Sequence, residues 1–382
     1  MMDKVNIGII GCGNISAKYI HTLTDIFDIT QVVALCDLSK EKAELRAEQF
    51  GIDRVCSSSE ELLALDCVDI VAVLTNPLQH FEVTQACLMA KKHTYVEKPL
   101  SLNVDDGEKL VCLAKNEGLI LSGAPDTVLG AGLQTAKKMI EDGWIGLPIA
   151  AVSHILTGGP ESWHPDPAFL YHKGAGPLYD VAPYYVAGLT YLFGSVESVA
   201  CSAKKTWDRR PITSQPLYGT MIDVEVPTYL AGILNMKNGV ICTLHHSFDV
   251  SHTKLDYSIE IYGTNGSLII DTPCEFSGDI LYRGKYDEKW SHITPIFPYR
   301  SDCRGIGIAD MASALLENRN ARVGADFIYH TLEVLQRLDE SAQKKTVCQV
   351  ASRFTETTLM SLSPNWGQDK IWDPTEYGIP AH

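Results

Sequence analysis

The stretch VNIGIIGCGNISAKYIHTL, residues 5–23, joins a short apolar run to two closely spaced glycines and a helix-like pattern. An apolar run without polar alternation predicts a strand that is buried on both faces, as in a parallel sheet. Gly11 and Gly13 predict a tight turn, followed by a helix over residues 14–27 whose first amides face the turn. Such a turn is suited to a phosphate group, because free backbone N–H groups and the positive end of the helix dipole favour an anion.

The glycine spacing matches the dinucleotide-binding fingerprint GxGxxG or GxGxxA, with Ser16 as the third small residue. A second apolar run ends at Asp37, where a carboxylate can accept hydrogen bonds from an adenosine ribose. The carboxylate would repel a 2′-phosphate, and neither Arg nor Lys follows it directly, so the sequence predicts NAD rather than NADP. The alternative interpretation of Asp37 is a solvated loop acid or a helix cap.

Length and composition favour a cytoplasmic enzyme of about two domains. The chain has 382 residues, and its 32 basic against 47 acidic residues disfavour nucleic acid or an anionic membrane as a partner. No apolar run approaches the roughly 20 residues of a membrane span, and residues 1–8 enter the first predicted strand directly, so we expect no signal peptide. The 11 cysteines contain no CxxC pair, so we expect reduced core thiols and no metal site.

Strand-like and helix-like segments alternate as far as about residue 123. Strands are predicted at 68–77, 93–99 and 119–125, and helices at 78–92 and 103–118. Repeated βα units predict a doubly wound parallel sheet, which is a Rossmann domain over residues 1–123, with ligands at the carboxyl ends of its strands.

The pattern changes from about residue 152. Long β-rich segments lie at 228–236, 239–250, 255–271 and 278–284, and helical patterns at 176–194, 307–318 and 325–343 flank them. We therefore expect an α+β domain over residues 124–382, with a large, mostly antiparallel open sheet. Because helices can cover only one face of this sheet, its other face is expected to form a homodimer or homotetramer.

Three segments resemble the Gfo/Idh/MocA oxidoreductase family, named for glucose–fructose oxidoreductase and inositol dehydrogenase. Glu97-Lys98-Pro99, within YVEKPLS, stands at the end of the fifth predicted strand and resembles a signature of that family. GAGPLYDVAPYYVAGLTYLFG, residues 174–194, resembles its segment with a glycine pair, an Asp and a His four residues later. IYGTNGSLIID, residues 261–271, is similar to a strand pair of its second domain. The candidate cofactor contacts are then Gly11, Gly13, Asn14, Ile15, Asp37, Thr75, Asn76, Pro77, His80, Glu97 and Lys98.

The resemblance implies catalytic roles for Lys98, Asp180 and Tyr184. Tyr184 replaces the His of most relatives, as in the glucose–fructose oxidoreductase and sugar 3-ketoreductase branches, and follows Asp180 at a spacing that predicts one helix face. Oxidation of a secondary alcohol needs a base for the hydroxyl proton, and a phenol with its usual pKa of about 10 needs a nearby cation, which Lys98 can supply. The alternatives are a surface lysine, a buried tyrosine with a satisfied hydroxyl, and an aspartate that orients substrate or merely caps local structure.

The substrate residues are expected in a loop over residues 158–177 and after the strand that contains His245 and His246. Aromatic faces and imidazole groups suit a pyranose ring with its hydroxyl rim. Besides Lys98, Asp180 and Tyr184, the candidates are Trp163, His164, Tyr171 and His252. The loop can instead pack on its own domain or on a partner subunit, and one of the two strand histidines is expected to face a core or an interface.

These features predict an NAD-dependent dehydrogenase that transfers a hydride between nicotinamide and a secondary hydroxyl of a sugar, glycoside or cyclitol. Tyr184 would exchange the hydroxyl proton, and Lys98 would polarise the oxygen. One alternative is cleavage of a glycoside through a 3-keto intermediate, with NAD retained in the site. The other is a catalytically silent sensor of a sugar or a dinucleotide.

Overall fold

The computed structural model describes residues 4–255, 257–368 and 374–377. The chain forms two compact units. Unit 1 comprises Met1–Gln134, Ile296–Tyr329 and Thr357–His382, and unit 2 comprises Thr135–Pro295 and His330–Glu356. The chain therefore leaves unit 1 once its first sheet is complete and returns to it twice.

Unit 1 contains a six-stranded parallel sheet. Its strands are β1 (Val5–Ile10), β2 (Thr30–Cys36), β3 (Val55–Cys56), β4 (Ile70–Val73), β5 (His93–Val96) and β6 (Leu121–Gly123). They lie in the order β3-β2-β1-β4-β5-β6, and each neighbouring pair is parallel. The strand order reverses between β1 and β4, which is the point where sheets of this type bind ligands. The predicted doubly wound Rossmann sheet is thus confirmed.

The sheet of unit 2 has nine strands. They are β7 (Pro148–Leu156), β8 (Val196–Lys204), β11 (Tyr229–Met236), β12 (Ile241–Ser247), β13 (Ser258–Gly263), β14 (Gly266–Asp271), β15 (Ile280–Gly284), β16 (Ser291–Ile293) and β17 (Cys348–Gln349). Their order is β16-β15-β14-β13-β7-β12-β11-β8-β17, and only the β7–β12 pair is parallel among these described strands. A hairpin of β9 (Arg209–Pro211) and β10 (Met221–Asp223) is separate from this sheet. The mostly antiparallel open sheet is confirmed.

The structure describes ten α-helices, and some of them have clear caps. In chain order they are α1 (Ser16–His21), α2 (Lys40–Phe50), α3 (Ser59–Leu63), α4 (His80–Met89), α5 (Val104–Glu117), α6 (Ala131–Glu141), α7 (Gly176–Asp180), α8 (Ala182–Phe193), α9 (Ile306–Glu317) and α10 (Ala325–Lys344). The Asn103 side chain accepts a hydrogen bond from the amide of Asp106 and caps α5. Gly51 ends α2 in the left-handed conformation that favours glycine.

The helix predicted over residues 14–27 is shorter and changes its winding. α1 begins only at Ser16, and a π-helical segment, Thr22–Ile26, follows it directly. The amide of Phe27 bonds to the carbonyl of Thr22 over 2.9 Å, which is the wider spacing of that winding. Sequence periodicity alone does not distinguish the two windings.

The two faces of the unit 2 sheet differ in burial. Along β11, Leu230 and Leu234 are buried, and a Cβ at Gly232 would lie 3.1 Å from Leu338 on α10. Ala231 and Ile233 alternate with them and are exposed. We call the second side the outer face and define it by Ala231, Ile233, Ile241, Thr243 and His245. The inner face therefore supplies part of the core of unit 2.

Candidate active site

The turn between β1 and α1 needs its two glycines for different reasons. Gly11 has a φ of +105°, and a Cβ there would lie 2.6 Å from the backbone C and O atoms of Leu74. Gly13 has no atom within 4 Å of the position that a Cβ would take. Ser16 donates its backbone N–H and its hydroxyl to the carbonyl of Gly13, over 3.2 and 2.6 Å. Gly11 therefore allows the close approach of two strand ends, while Gly13 leaves open space in front of the helix, where a phosphate group fits.

This open space belongs to a cavity of about 490 Å³ at the carboxyl ends of β1, β2 and β4. The cavity has a size usual for small-molecule sites, and it lies at the switch point of the sheet. Its lining includes Gly11, Gly13, Asp37, Lys42, Ser57, Ser58, Ser59, Glu60, Thr75 and Asn76. The arrangement fits part of a dinucleotide, with the phosphate turn on one side and the end of β2 on another.

Asp37 lies at the cavity wall with both carboxylate oxygens anchored. Oδ2 accepts a hydrogen bond from the amide of Cys12 over 2.7 Å, and Oδ1 accepts one from the amide of Ser39 over 2.8 Å. A carboxylate has about four acceptor positions, so each oxygen can still accept a ribose hydroxyl. Lys42 on α2 lines the same cavity. This cation lies five residues after Asp37, beyond the two positions on which the NAD prediction relied.

The end of β4 presents a short polar turn. The Asn76 side chain accepts a hydrogen bond from the amide of Leu78 over 3.1 Å, and Pro77 begins the 3-10 turn Pro77–Gln79. Thr75 and Asn76 line the cavity, whereas Pro77 is exposed beside them. Two further candidates precede α1: Asn14 is exposed and Ile15 is half-buried. These residues remain candidate cofactor contacts.

His80 has a different position from the one expected of a cofactor contact. Its ring is fully buried, with Nδ1 2.6 Å from the carbonyl oxygen of Pro99 and Nε2 3.0 Å from that of Thr75. Burial lowers the pKa of this imidazole, and the two backbone hydrogen bonds oppose that shift. His80 therefore joins the turn after β4 to the turn after β5, and its buried ring has a structural role in place of the expected cofactor contact.

Lys98 follows β5 and is half-buried. Its backbone N–H donates to Oε2 of Glu97 over 2.8 Å, while Oε1 of Glu97 accepts a hydrogen bond from the Tyr19 hydroxyl over 2.7 Å. Glu97 is 9% exposed, so its carboxylate lies inside unit 1, where it holds the backbone of Lys98 through this hydrogen bond. Each oxygen keeps a further acceptor position, so Glu97 remains a candidate cofactor contact.

A buried polar cluster surrounds Glu97. The hydroxyls of Tyr19 and Tyr95 lie 3.3 Å apart, and burial followed by the charge of nearby carboxylates raises the pKa of both phenols. Asp126 is fully buried, and its Oδ2 accepts hydrogen bonds from the amides of Gly305 and Gly307 at the start of α9. Burial raises the pKa of Asp126, against the opposing charge of Arg304. No sequence signal linked these residues, because they are far apart along the chain.

In unit 2, Asp180 and Tyr184 flank a break between two helices. Asp180 is the last residue of α7, Val181 separates the helices, and Tyr184 lies in the first turn of α8. Both side chains are half-buried. The expectation of one continuous helix face is wrong, because Pro183 has no N–H and its ring disfavours a preceding helical turn.

The loop before α7 exposes two of its predicted substrate residues. Trp163 is 69% exposed, and its ring lies edge-on to the His164 ring, with centroids 5.4 Å apart. His164 is half-buried, its Nδ1 accepts a hydrogen bond from the amide of Asp166, and its carbonyl accepts one from the Ser214 hydroxyl. The loop therefore holds an aromatic face and an imidazole at an accessible surface.

Tyr171 is buried instead, in a core cluster with Ile212, Ile222, Val224 and Phe248. Its hydroxyl donates to the buried carboxylate of Glu161, and the Arg210 guanidinium lies over its ring, 5.4 Å from the centroid. Arg210 also bonds to Glu161 over 2.6 Å. The expectation that Tyr171 contacts substrate is therefore replaced by a packing role, since both its ring and its hydroxyl are occupied.

The remaining histidines differ in how deeply they are buried. His252 is exposed in the loop after β12. His246 is fully buried, its Nε2 lies 3.1 Å from the Ser153 hydroxyl, and burial lowers its pKa to about 3. His245 points to the outer face and bonds to the hydroxyl of Tyr229. One strand histidine thus faces a core, in agreement with strand alternation.

Within 4–255, 257–368 and 374–377, no three His, Cys, Asp or Glu side chains are grouped to hold a metal ion. In the same part of the chain, no helix combines the length and the apolar character that a membrane crossing requires.

Comparison with known families agrees with this architecture. Residues 5–124 match the family described as "Oxidoreductase family, NAD-binding Rossmann fold", and residues 133–269 match the "GFO/IDH/MocA C-terminal domain". Together the two matches span about two thirds of the chain. The chain belongs to the Gfo/Idh/MocA family of oxidoreductases and carries the NAD-binding Rossmann domain of that family. The resemblance found in the sequence is confirmed.

Individual relatives are enzymes named for cyclic polyols and sugars. A myo-inositol 2-dehydrogenase of Thermotoga maritima is 26% identical over 268 residues, which are 70% of this chain and 75% of the relative. A 1,5-anhydro-D-fructose reductase of Ensifer adhaerens is 28% identical over 244 residues, 63% of this chain and 68% of the relative. The fold is similar to that of a levoglucosan dehydrogenase solved with NADH and L-sorbose, with a TM-score of 0.79, 19% identity, and coverage of 92% of this chain and 100% of the other.

Proposed function

We propose that this oxidoreductase transfers a hydride between NAD and a secondary hydroxyl of a sugar, glycoside or cyclitol. The position of Lys98 is the observation that carries the proposal. Its backbone N–H is bonded to the buried Glu97, and the residue is half-buried at the carboxyl end of β5, at the ligand-binding edge of the Rossmann sheet. The names of the relatives support the substrate class, because inositol, anhydrofructose and levoglucosan all carry secondary hydroxyls.

The preference for NAD rests on Asp37. Its carboxylate stands at the end of β2 on the cavity wall, where it favours ribose hydroxyls over a 2′-phosphate. Lys42 on the same wall opposes this preference through its charge. We propose that Asp37 dominates, because two backbone amides hold its carboxylate in place, whereas Lys42 is an exposed side chain on a flexible stem.

The bound nicotinamide supplies or accepts the hydride at the substrate carbon. The chain has to provide for the proton that leaves the hydroxyl oxygen as the carbonyl forms. We assign this proton to the Tyr184 hydroxyl and the polarisation of the same oxygen to the Lys98 ammonium group. Asp180 would orient the substrate hydroxyl, while Trp163, His164 and His252 would hold the ring and its hydroxyl rim.

A panel of cyclic substrates tests the function directly. Inositols, anhydrosugars, free sugars and methyl glycosides are each incubated with NAD and with NADP, and NAD(P)H is followed by its absorbance. We expect NADH to form with at least one secondary alcohol and to be lost in the Lys98→Ala variant. Cleaved glycoside without net NADH would instead support the retained-NAD mechanism, and NADH binding without any turnover would support a sensor.

We also propose that two or four copies associate through the outer face of the unit 2 sheet. Ile233 is 42% exposed and Ile241 is 50% exposed on this face, and an apolar sheet face of this kind is suited to a second copy. Light scattering of wild type should give a dimer or tetramer, and Ile233→Glu should give monomer. Leu45→Glu, on the exposed side of α2, is the matched control and should leave the assembly intact.

A cytoplasmic location is the proposed setting of the reaction. All 11 cysteines are free thiols, and seven of them are buried. Reduced, buried cysteines are typical of proteins that work in a reducing compartment. Fractionation of the native host should therefore recover the activity with the cytoplasmic enzymes, and recovery in a secreted fraction would contradict this assignment.

A further inference from the structure

Two hydrogen bonds connect the helix after the phosphate turn to the backbone of Lys98. Tyr19 lies on α1, which begins at Ser16 directly behind the turn. Its hydroxyl donates to Oε1 of Glu97 over 2.7 Å, and Oε2 of the same carboxylate accepts the Lys98 amide over 2.8 Å. The carboxylate of Glu97 is therefore a bridge between α1 and the start of the turn that carries the lysine.

Burial makes this bridge well defined. Tyr19 is fully buried and Glu97 is 9% exposed, so water is largely excluded from the hydrogen bonds between them. In such surroundings a hydrogen bond is stronger than in water, and a carboxylate that loses one donor is left poorly solvated. Removing the Tyr19 hydroxyl should therefore move the Glu97 carboxylate, and with it the Lys98 amide.

We propose that Tyr19 is a positioning residue for Lys98, and that its hydroxyl couples the helix that receives the cofactor phosphates to the lysine that polarises the substrate oxygen. The inference rests on the proposed function of Lys98. It assigns to α1 a second task besides anion binding, because the Glu97 carboxylate links this helix to the lysine turn.

Tyr95 provides a matched comparison within the same cluster. It is also fully buried, its ring centroid lies 5.9 Å from that of Tyr19, and the two hydroxyls are 3.3 Å apart. The hydrogen bond to Glu97, however, comes from Tyr19. Tyr95→Phe thus removes a buried hydroxyl of the same kind without removing the bond that bridges to Lys98.

A double-mutant cycle tests the proposal by kinetics, with Tyr19→Phe and Tyr95→Phe made in wild type and in Lys98→Ala. In wild type, Tyr19→Phe should lower kcat about 10- to 100-fold and change the Kd for NADH by no more than about twofold. Tyr95→Phe should change kcat by no more than about twofold. In the Lys98→Ala background, Tyr19→Phe should cause no further loss. An equal loss in both backgrounds, or equal losses for the two tyrosines, would overturn the positioning role.

A spectroscopic measurement separates this proposal from the proposed function. Lysines are methylated reductively with a ¹³C label, and the Lys98 signal is assigned by its loss in Lys98→Arg. Tyr19→Phe should shift the Lys98 signal and Tyr95→Phe should not, whether or not any sugar is turned over. If Tyr19→Phe does not fold, Glu97→Gln should produce the same shift. An unshifted Lys98 signal in the folded variant would overturn the proposal, whereas a wild type without turnover would count against the proposed function alone.

Discussion

The carboxylate of Asp37 accepts a hydrogen bond from the backbone amide of Cys12 over 2.7 Å. Cys12 stands between the two glycines of the phosphate turn. The residue expected to bind the adenosine ribose therefore also holds the turn that is expected to bind the phosphates. Any substitution of Asp37 has two effects, one on the charge near the ribose and one on the geometry of the turn.

Asp37→Asn separates these two effects, because an amide keeps one oxygen that can accept the Cys12 N–H but carries no charge. We expect Asp37→Asn to bind NADP about tenfold more tightly than wild type, a change of roughly 1.4 kcal/mol. Lys42→Ala in the same background should abolish this gain, since Lys42 lines the cavity. Titration of both cofactors by fluorescence measures the effect, and a wild type that uses NADP as well as NAD would contradict the role of Asp37.

The two glycines of the turn should respond oppositely to alanine. A Cβ at Gly13 meets no atom within 4 Å, so Gly13→Ala should leave the free energy of unfolding unchanged or raise it by up to about 1 kcal/mol, while weakening NADH binding. Gly11→Ala should lower the free energy of unfolding by about 1–3 kcal/mol, because the φ of +105° and the Leu74 backbone both exclude a Cβ. Urea unfolding and NADH titration report the two quantities. Unchanged NADH binding by Gly13→Ala would assign the open space to something other than the cofactor.

Tyr184→Phe removes only the hydroxyl proposed to exchange the substrate proton. It should lower turnover by roughly 10²- to 10⁴-fold, the usual effect of a positioned acid or base, and Tyr184→His should retain more activity than Phe. The matched control is Tyr185→Phe, since Tyr185 is buried and its hydroxyl lies 3.2 Å from that of Thr272. If Tyr184→Phe turned over like wild type between about pH 6 and 10, Asp180 or His164 would become the leading candidate.

The stability of unit 2 should fall in mild acid because of two buried histidines. Burial lowers the pKa of His246 to about 3 and that of His330 to about 4, whereas both titrate near 6.5 in the unfolded chain. Their stabilising contribution is therefore complete above about pH 6.5 and is lost as the pH falls toward the folded-state values. Each histidine should reduce the free energy of unfolding by up to about 1.4 kcal/mol per pH unit.

His330→Gln tests this pH dependence, because Nε2 of His330 accepts the amide of Val196 over 3.0 Å and a glutamine oxygen can replace it. Urea unfolding between about pH 7 and 4.5 should give a shallower slope for this variant than for wild type. His292→Gln, with a side chain 75% exposed in wild type, should keep the wild-type slope. Equal slopes for all three proteins would show that His330 does not titrate on unfolding.

Local sequence patterns predicted the architecture, because the type of each element follows mainly from residues that are adjacent along the chain. The uninterrupted apolar run before Gly11 is sufficient for a buried parallel strand, and the alternation along Tyr229–Met236 is sufficient for a strand with one inner face. The turn at Gly11 and Gly13 was predicted from the glycine spacing alone, although the Leu74 backbone that excludes a Cβ at Gly11 is distant along the chain.

Long-range contacts decided the roles that the sequence did not predict. Glu97 follows β5 directly and His80 begins α4, but hydrogen bonds with Tyr19 and Pro99 hold both side chains in the interior. Tyr171 lies in a loop suited to a sugar, yet Arg210 and Glu161 enclose it in a core. The direction in which a side chain points depends on residues that are distant along the chain, and no local pattern contains that information.

We expect Lys98 to serve the chemistry, and its candidate contact with the cofactor to add little to the affinity for NADH. Lys98→Ala and the exposed-helix control Lys115→Ala are compared with wild type for NADH affinity and for turnover of the best substrate of the panel. We predict that Lys98→Ala binds NADH within about twofold of wild type and turns over about 10³-fold more slowly, while Lys115→Ala matches wild type in both. Wild-type turnover by Lys98→Ala would contradict a chemical role for this lysine.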